Sequence, residues 1–585
     1  MKPVEVKINN FFSGISDSTR KPSSSEFAIA KLFDIFTDPF RLIPYRSFEA
    51  DTATSVSSTD LKQYYVRDFL YHSQSAKLFG LGQNAGGLTK ILYKADATTG
   101  NWTVPSSSEG NGAIRNGCLV EYKDYLWGFQ GNTSVWKWGT LSGTPAITNV
   151  AGTVGTLNAT VSTVAVSAAG SGYQVNDILT LATGSGTAKC IVNTLTAGAG
   201  SGVATVTLTE PGYNYATGIK ATSVSPAGGT GCTINITAVA NISTNITSIA
   251  QGVIGVDDNL YLPYNNVLVR VYPSGTVQDQ VLKLPTNLKI TSICNFGKYL
   301  AIGTAPISTF NGVSRVFLWN FTSPDVQEAI DWGEGELRVL ETIEGMLVGI
   351  TDRYLNNSAG AGRGSLIIQG YSGGYPQVLM EVFTSKLNGV TMPLSKTVKN
   401  NRVFFCAKIM TNSAGTEFNE GIWSFGRKNA KYPWALSLDY TDENISAGIQ
   451  GFGAAANFFF IAHSGDGSVD KTNDNAVYTM QSIYESQTFD FGDATIDKTL
   501  NSVKVQTRPL LSGETVLIDY KVDGGTDWVN IGTFNTVGQV SYTFKHEVPV
   551  DKAFTSGREF KFRIRSTGGA EITGLELIAT PTNTA

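Results

Sequence analysis

Tyr125-Leu126-Trp127-Gly128-Phe129-Gln130-Gly131-Asn132-Thr133-Ser134-Val135-Trp136-Lys137-Trp138 decides the fold. It predicts two short strands around a polar Gly-Asn turn, with Val-Trp-Lys-Trp alternating at a period of two. The design recurs along the chain. Asn259-Leu260-Tyr261-Leu262-Pro263-Tyr264-Asn265-Asn266-Val267-Leu268-Val269-Arg270-Val271-Tyr272 repeats it around Asn-Asn. Lys298–Gly303 leads to Ser314–Trp319, Arg402–Ala407 to Gly421–Phe425, and Asn457–Ala462 to Asn475–Met480. None of these apolar hairpins can bury its own face. Their return every few tens of residues predicts a repeat architecture of four-stranded units, which is a β-propeller.

Working outward, 585 residues exceed one core and imply two to four domains. A hydrophobic share of 42% is enough for large cores. Charged residues at 16%, aromatics at 11% and 62 glycines point to an all-β chain with many tight turns. A net charge of −4 gives no basic face for phosphates, so nucleic-acid sequence recognition is not expected. No apolar run reaches about 18 residues, so no membrane span is expected. The opening Met1-Lys2-Pro3-Val4-Glu5-Val6 lacks the apolar stretch of a signal peptide, which implies synthesis in a cytoplasm.

Five segments are expected. Residues 1–58 form an extended N-terminal arm that packs its aromatics on the following domain or on a neighbour. Residues 24–36 fit a short helix and a strand equally well. Residues 59–150 hold the first propeller blades, including Ala76–Gly82 paired with Leu88–Lys94. Residues 151–244 are nearly all Ala, Gly, Ser, Thr, Val and Asn. Their alternation and β-branching predict an inserted small β-domain with glycine corners rather than a linker. It carries a weak repeat, Gly170-Ser171-Gly172-Tyr173 and later Pro211-Gly212-Tyr213-Asn214-Tyr215. Residues 245–485 return to blades. Without the insert, roughly 330 propeller residues at about 40–50 per blade give about seven, with six or eight as alternatives. The last blade is expected to be closed by a strand from near residue 60. Residues 486–585 show strict period-two strands, as in an antiparallel β-sandwich, with Asp523–Trp528 as a hairpin turn.

Two phrases in the arm carry a family resemblance: Phe12, Gly14, Ile15, Asp17 and Ser18, then Asp34, Asp38, Pro39, Leu42 and Pro44. They resemble the opening of tail-associated propeller proteins of tailed bacteriophages, although Ser13 replaces the first glycine of the first phrase. The insert is similar to Gly-Tyr repeat modules of phage virion proteins, and the last segment to jelly-roll domains of tail proteins. The resemblance implies a structural protein of the virion tail, a nozzle, hub or tip subunit. Its partners would be a homo-oligomer ring and other tail or adaptor proteins, with host surface glycans as a further class. A glycan-binding adhesin is the alternative function, and a propeller polysaccharide hydrolase the third.

Chemistry-bearing residues are sparse. His72, His463 and His546 fall in different segments, and no nucleophile elbow, phosphate loop or His-Glu-x-x-His occurs. Cys118, Cys190, Cys232, Cys294 and Cys406 form no Cys-x-x-Cys. Asp331, Glu334, Glu336, Glu341 and Glu344 around Trp332 would matter for glycoside hydrolysis only if paired acids converged in a channel. Asp466, Asp470 and Asp474, with Asn473 and Asn475, offer oxygens to Ca²⁺ without the EF-hand spacing. Tyr371–Tyr375 and Tyr432-Pro433-Trp434 are candidate sugar-stacking aromatics. The Asp523–Trp528 turn resembles the Asp-box of sialidases, a turn-fixing device. No catalytic, cofactor or metal residue is assigned, and the chain is expected not to be an enzyme.

Overall fold

The computed structural model describes residues 3–11, 27–45, 48–51, 65–73, 75–83, 89–94, 96, 102–103, 119–130, 134–141, 146–149, 159–182, 188–198, 200–210, 215–225, 228–241, 251–307, 312–354, 364–384, 390–410, 418–441, 448–455, 458–463, 469–472, 481–525, 527–545 and 556–582. Every regular element among them is a strand. The chain is all-β with the sheets of a β-propeller. It divides into two compact units, one of residues 1–86, 90–105 and 287–585, the other of 87–89 and 106–286.

In the larger unit, four-stranded antiparallel meanders follow one another. One runs Leu288–Phe296, Tyr299–Pro306, Val313–Trp319, Glu328–Glu334. The next runs Glu336–Ile343, Met346–Tyr354, Gly364–Tyr371, Gln377–Thr384. A third holds Val390–Lys399, Arg402–Met410, Phe418–Gly426 and Ala435–Thr441. Further sheets are built on Ile449–Ala455 and on Tyr65–His72. Each shares an apolar core with the next. Trp332 and Leu337 join the first two, Val339 and Phe405 the second and third, Phe404 and Phe452 the third and fourth, and Phe69 and Phe460 the last pair.

Sandwiching between neighbours explains the sequence texture. Strand Tyr299–Pro306 is buried at all but its first residue, because both its faces meet apolar side chains. The sheets approach closely where a side chain is missing: a Cβ on Gly349 would lie 2.6 Å from the Trp332 indole. The sheet of Ile449–Ala455 takes its fourth strand from far upstream. Phe48–Ala50 pairs antiparallel with Val469–Thr472. The closing strand therefore lies about ten residues before the expected position, and residues 52–64 are outside the described set.

The N-terminal segment adds strands to other sheets as well. Val4–Ile8 pairs with Ile572–Pro581 at the edge of a sheet completed by Lys498–Thr507 and Ser541–Lys545. Phe27–Lys31 is a strand, which settles the helix-or-strand ambiguity there. It pairs antiparallel with Ser482–Ser486 and touches Leu438 of the preceding meander through Lys31. Ser482–Ser486 continues into Phe560–Thr567, Thr515–Val522 and Val529–Phe534. Both C-terminal sheets bury one core, including Phe11, Tyr484, Val503, Ile518, Phe562 and Leu577. Here the strands do alternate, as in Lys498–Thr507, because one face meets solvent.

The smaller unit contains the hairpin quoted first. Tyr125–Gln130 pairs with Ser134–Gly139, setting Leu126 opposite Trp138, both buried. Val120–Tyr122 and Ala146–Asn149 complete that sheet, and Val253–Ile254, Leu260–Tyr264, Val267–Val271 and Val277–Lys283 form a second of the same design. Tyr122 donates its hydroxyl to the Asp258 carbonyl at 2.6 Å.

Residues 159–241 of this unit form a six-stranded sheet with its own core. Tyr173 and Tyr215, one from each phrase, tie the sheet together. Tyr173 Oη accepts the Cys232 amide at 3.0 Å. Tyr215 Oη accepts the Ala188 amide at 3.1 Å and donates to the Leu181 carbonyl at 2.9 Å. Each tyrosine thus caps backbone belonging to the other repeat. Gly170, at φ 63°, packs directly on the backbone of Thr230 and Cys232, where a side chain has no room.

Candidate functional site

The acidic run was the one sequence feature with catalytic potential. Alternation on strand Glu328–Glu334 turns Ile330 and Trp332 inward and leaves Asp331 exposed, while Glu334 is exposed at the strand's end. Asp331 binds Arg315 at 2.7 Å and Glu334 binds Arg353 at 3.2 Å. Glu336 lies 2.5 Å from Arg338 and 3.4 Å from Lys289. Glu341 meets Lys396 at 2.6 Å, and Glu344 meets Arg427 at 2.6 Å. Each acid is therefore held by a cation, and four of the five acids bond across from one sheet to its neighbour. A carboxylate paired across a sheet boundary acts as a fastener.

Lys396 shows the arrangement best. Its ammonium is almost fully buried and donates to Ser292 Oγ at 3.0 Å, the Ile293 carbonyl at 3.2 Å and the Leu340 carbonyl at 2.6 Å. Those partners lie on the first strands of the two preceding meanders. One ammonium thus ties three sheets together, with Glu341 supplying the compensating charge.

Two buried polar clusters fall where no local motif announced them. Asp51 follows the closing strand Phe48–Ala50. Its carboxylate accepts Lys94 Nζ at 2.8 and 2.9 Å and Trp102 Nε1 at 2.9 Å, and pairs with Lys471 at 3.2 Å. Burial lowers the Lys94 ammonium from its ordinary range, and the bonds to Asp51 oppose that shift. In the second cluster, Arg402 lies 3.9 Å from Asp34 and 3.8 Å from Asp439, donates to Tyr45 Oη at 3.1 Å, and faces the Phe36 ring at 4.5 Å. Burial pushes the Asp439 carboxyl up to about 7, against the pull of Arg402. The N-terminal segment supplies Asp51 to the first cluster and Asp34, Phe36 and Tyr45 to the second. These partners are separated by 43 to 420 residues, which is why only Asp34 stood out beforehand, as part of the second arm phrase.

That phrase proves to be a pair of turns. Asp34 accepts the Phe36 and Thr37 amides at 2.8 and 3.1 Å, and Asp38 accepts the Phe40 amide at 3.1 Å and Arg41 Nε at 2.5 Å. Phe12–Ser18, the first phrase, lies outside the described residues.

The remaining candidates disperse. His72 bonds Ser75 at 2.6 Å, buried His463 bonds Asp470 at 3.1 Å, and His546 is outside the described residues. Asp466, Asn473, Asp474 and Asn475 are outside them too, so of the Ca²⁺ candidates only Asp470 is placed, against His463. Among the described residues no group of three His, Cys, Asp or Glu is arranged to hold a metal. Tyr371 is buried and donates to Glu328 at 2.8 Å. Tyr375 is 89% exposed. Trp434 stacks on Phe425 at 5.4 Å and carries Arg427 at 4.6 Å. Asp523 accepts the Arg558 and Glu559 amides at 2.7 and 2.9 Å, so it fixes backbone, as its Asp-box likeness implied. Cys190, Cys232, Cys294 and Cys406 are buried free thiols, and Cys118 is outside the described residues.

These sheets place the chain in the class of all-β propeller proteins. No protein-family model matches it and no curated protein matches it. Several solved propellers are similar in part. The WD40 domain of Neurospora crassa Pan2 is 8% identical, with 74% of this chain and 97% of that one covered, at a TM-score of 0.34. Sqt1 from Chaetomium thermophilum is 10% identical over 73% and 100%, at 0.35. BamB from Moraxella catarrhalis is 9% identical over 70% and 84%, at 0.32.

Proposed function

We propose that the chain is a non-enzymatic structural protein of a tailed-bacteriophage virion, a nozzle, hub or tip subunit. It would act by assembling with copies of itself and with neighbouring tail or adaptor proteins. The observation that carries this reading is the use of its charge. Four of the five acids of the one candidate catalytic run pair with cations of an adjacent sheet. Two further buried clusters fix the N-terminal segment onto the same sheets. Such a body is a rigid scaffold, and propellers serve widely as platforms for protein contacts. The arm phrases supply the phage assignment, and the Gly-Tyr insert agrees with it. Immunogold labelling of purified particles tests the proposal. Regular label at one position on the tail is expected, and particles without label would overturn it.

Host-glycan binding is the second reading, favoured by the solvent-exposed Tyr375 ring. A glycan array probed with the protein and with Tyr375→Ala decides it. Equal signals from both would discard this aromatic as a sugar platform.

A further inference from the structure

The exposed large apolar side chains are not spread evenly. Leu511, Val537, Val540 and Tyr542 are 66%, 65%, 52% and 39% exposed and lie within 32 residues of one another. The backbone brings them together. The Gly538 amide donates to the Leu510 carbonyl at 2.7 Å, and the Leu510 amide to the Gln539 carbonyl at 3.1 Å. They surround strand Ser541–Lys545, which ends its sheet in the order Val4–Ile8, Ile572–Pro581, Lys498–Thr507, Ser541–Lys545. The opposite edge of that sheet is covered by the N-terminal strand. This one has no strand beyond it among the described residues.

The ladder shows which backbone groups face outward. The Thr507 amide donates to the Val540 carbonyl at 2.9 Å, which makes that pair a hydrogen-bonded one. Bonded and non-bonded pairs alternate in an antiparallel ladder. In the observed register Tyr542 and Phe544 are then bonded to Val505 and Val503. Ser541, Thr543 and Lys545 turn their N–H and C=O groups away from the sheet, where the Ser541 carbonyl accepts Gln539 Nε2 at 3.0 Å. Open edges with apolar flanks are templates for a further strand.

We infer that Ser541–Lys545 is a self-association edge, on which the same strand of a second copy adds antiparallel about a two-fold axis at Thr543. The sequence suits this register. Thr543 meets Thr543, and Ser541 meets the second copy's Lys545, so no two lysines stand opposite. Tyr542, whose exposed flank lies on the face of buried Phe544, comes opposite the second copy's Phe544. Two small sheets become one continuous sheet, and an isologous contact of this kind is self-limiting. The inference rests on the assembly reading above and names one surface for it.

The test is the solution mass of the full chain by analytical ultracentrifugation. The unmodified protein should show a concentration-dependent even-numbered species. Thr543→Pro deletes an outward N–H without touching the inner ladder, and should shift the protein to half that mass with an unchanged circular dichroism spectrum. Ser541→Lys sets a lysine against the second copy's Lys545 and should weaken association roughly tenfold or more at low salt. This half-buried edge position carries the test should the proline variant misfold. A protein monomeric at all concentrations overturns the inference and leaves particle labelling to decide the wider assembly reading. Oligomers indifferent to Thr543→Pro and Ser541→Lys keep that reading and overturn this surface.

Discussion

Lys94 Nζ lies 2.8 and 2.9 Å from the two carboxylate oxygens of Asp51, and both side chains are buried. The pair joins the sheet of residues 65–103 to the segment that closes the sheet of Ile449–Ala455. Removing one partner strands the other charge in an apolar site, which typically costs about 3–5 kcal/mol. Asp51→Ala should therefore lower the denaturant midpoint clearly and expose the N-terminal segment to protease. The double variant Asp51→Leu, Lys94→Met should recover much of the loss, because it removes both charges. Equal stability of the single and double variants would refute this account of the pair.

Asp439 gives a pH dependence whose sign follows from its environment. Burial raises its folded pKa from about 3.8 to about 7, while the unfolded carboxyl keeps its ordinary value. The stability contributed by this group is fully present below about pH 4 and is lost as pH rises through 7. Arg402, Asp34, Tyr45, Ser424 and Ser437 face it, and Arg402 limits the loss. Asp439→Asn mimics the protonated acid. It should match the unmodified protein near pH 4 and exceed it near pH 8, on the order of 1–3 kcal/mol. Denaturant titrations at the two pH values read the difference directly.

The Trp332–Gly349 contact predicts a steric cost between two sheets. A Cβ at Gly349 would sit 2.6 Å from three atoms of the indole, and both neighbouring backbones are locked in ladders. Gly349→Ala should destabilise the protein by about 1–3 kcal/mol. Trp332→Phe in the same background should relieve part of it. Thermal unfolding of the single and double variants measures both effects.

What the sequence disclosed and what it hid divide along a physical line. Hairpins are local, so Tyr125–Trp138 announced its strands through alternation and turn chemistry. The insert's tyrosines stood out for the same reason, as a repeated phrase. The role of residues 1–51 was far less visible. Val4–Ile8 pairs with residues about 570 positions away, and nothing in a five-residue alternating stretch names its neighbour. The acidic run hid its role for the opposite reason. Its carboxylates are adjacent in the chain, but strand alternation and the sheet boundary send them to different cations. Arg315, Arg353, Lys396 and Arg427 carry no local mark of that pairing.

The acidic run yields a prediction on both activity and stability. The Glu334 and Arg353 side chains are 59% and 37% exposed, and exposed ion pairs contribute about 0–1 kcal/mol. Glu334→Gln should leave the unfolding midpoint nearly unchanged. Capsular polysaccharide incubated with either form should show no new reducing ends. Hydrolysis that disappears in Glu334→Gln would reinstate a catalytic role for this residue.

The thiols supply the last expectation. Burial pushes the Cys190 thiol up to about 11 and the Cys294 thiol up to about 12, and raises Cys232 and Cys406 as well. At pH 8 the reactive thiolate is then scarce in the folded protein, and access to the four sites requires opening of the sheets around them. Maleimide labelling at pH 8 followed by intact-mass measurement should find at most one modified cysteine, Cys118, in the native protein. All five should react in denaturant. Rapid native labelling of Cys190 or Cys232 would show that the insert opens on its own, and native labelling of Cys294 or Cys406 would show the same for the meanders that hold them.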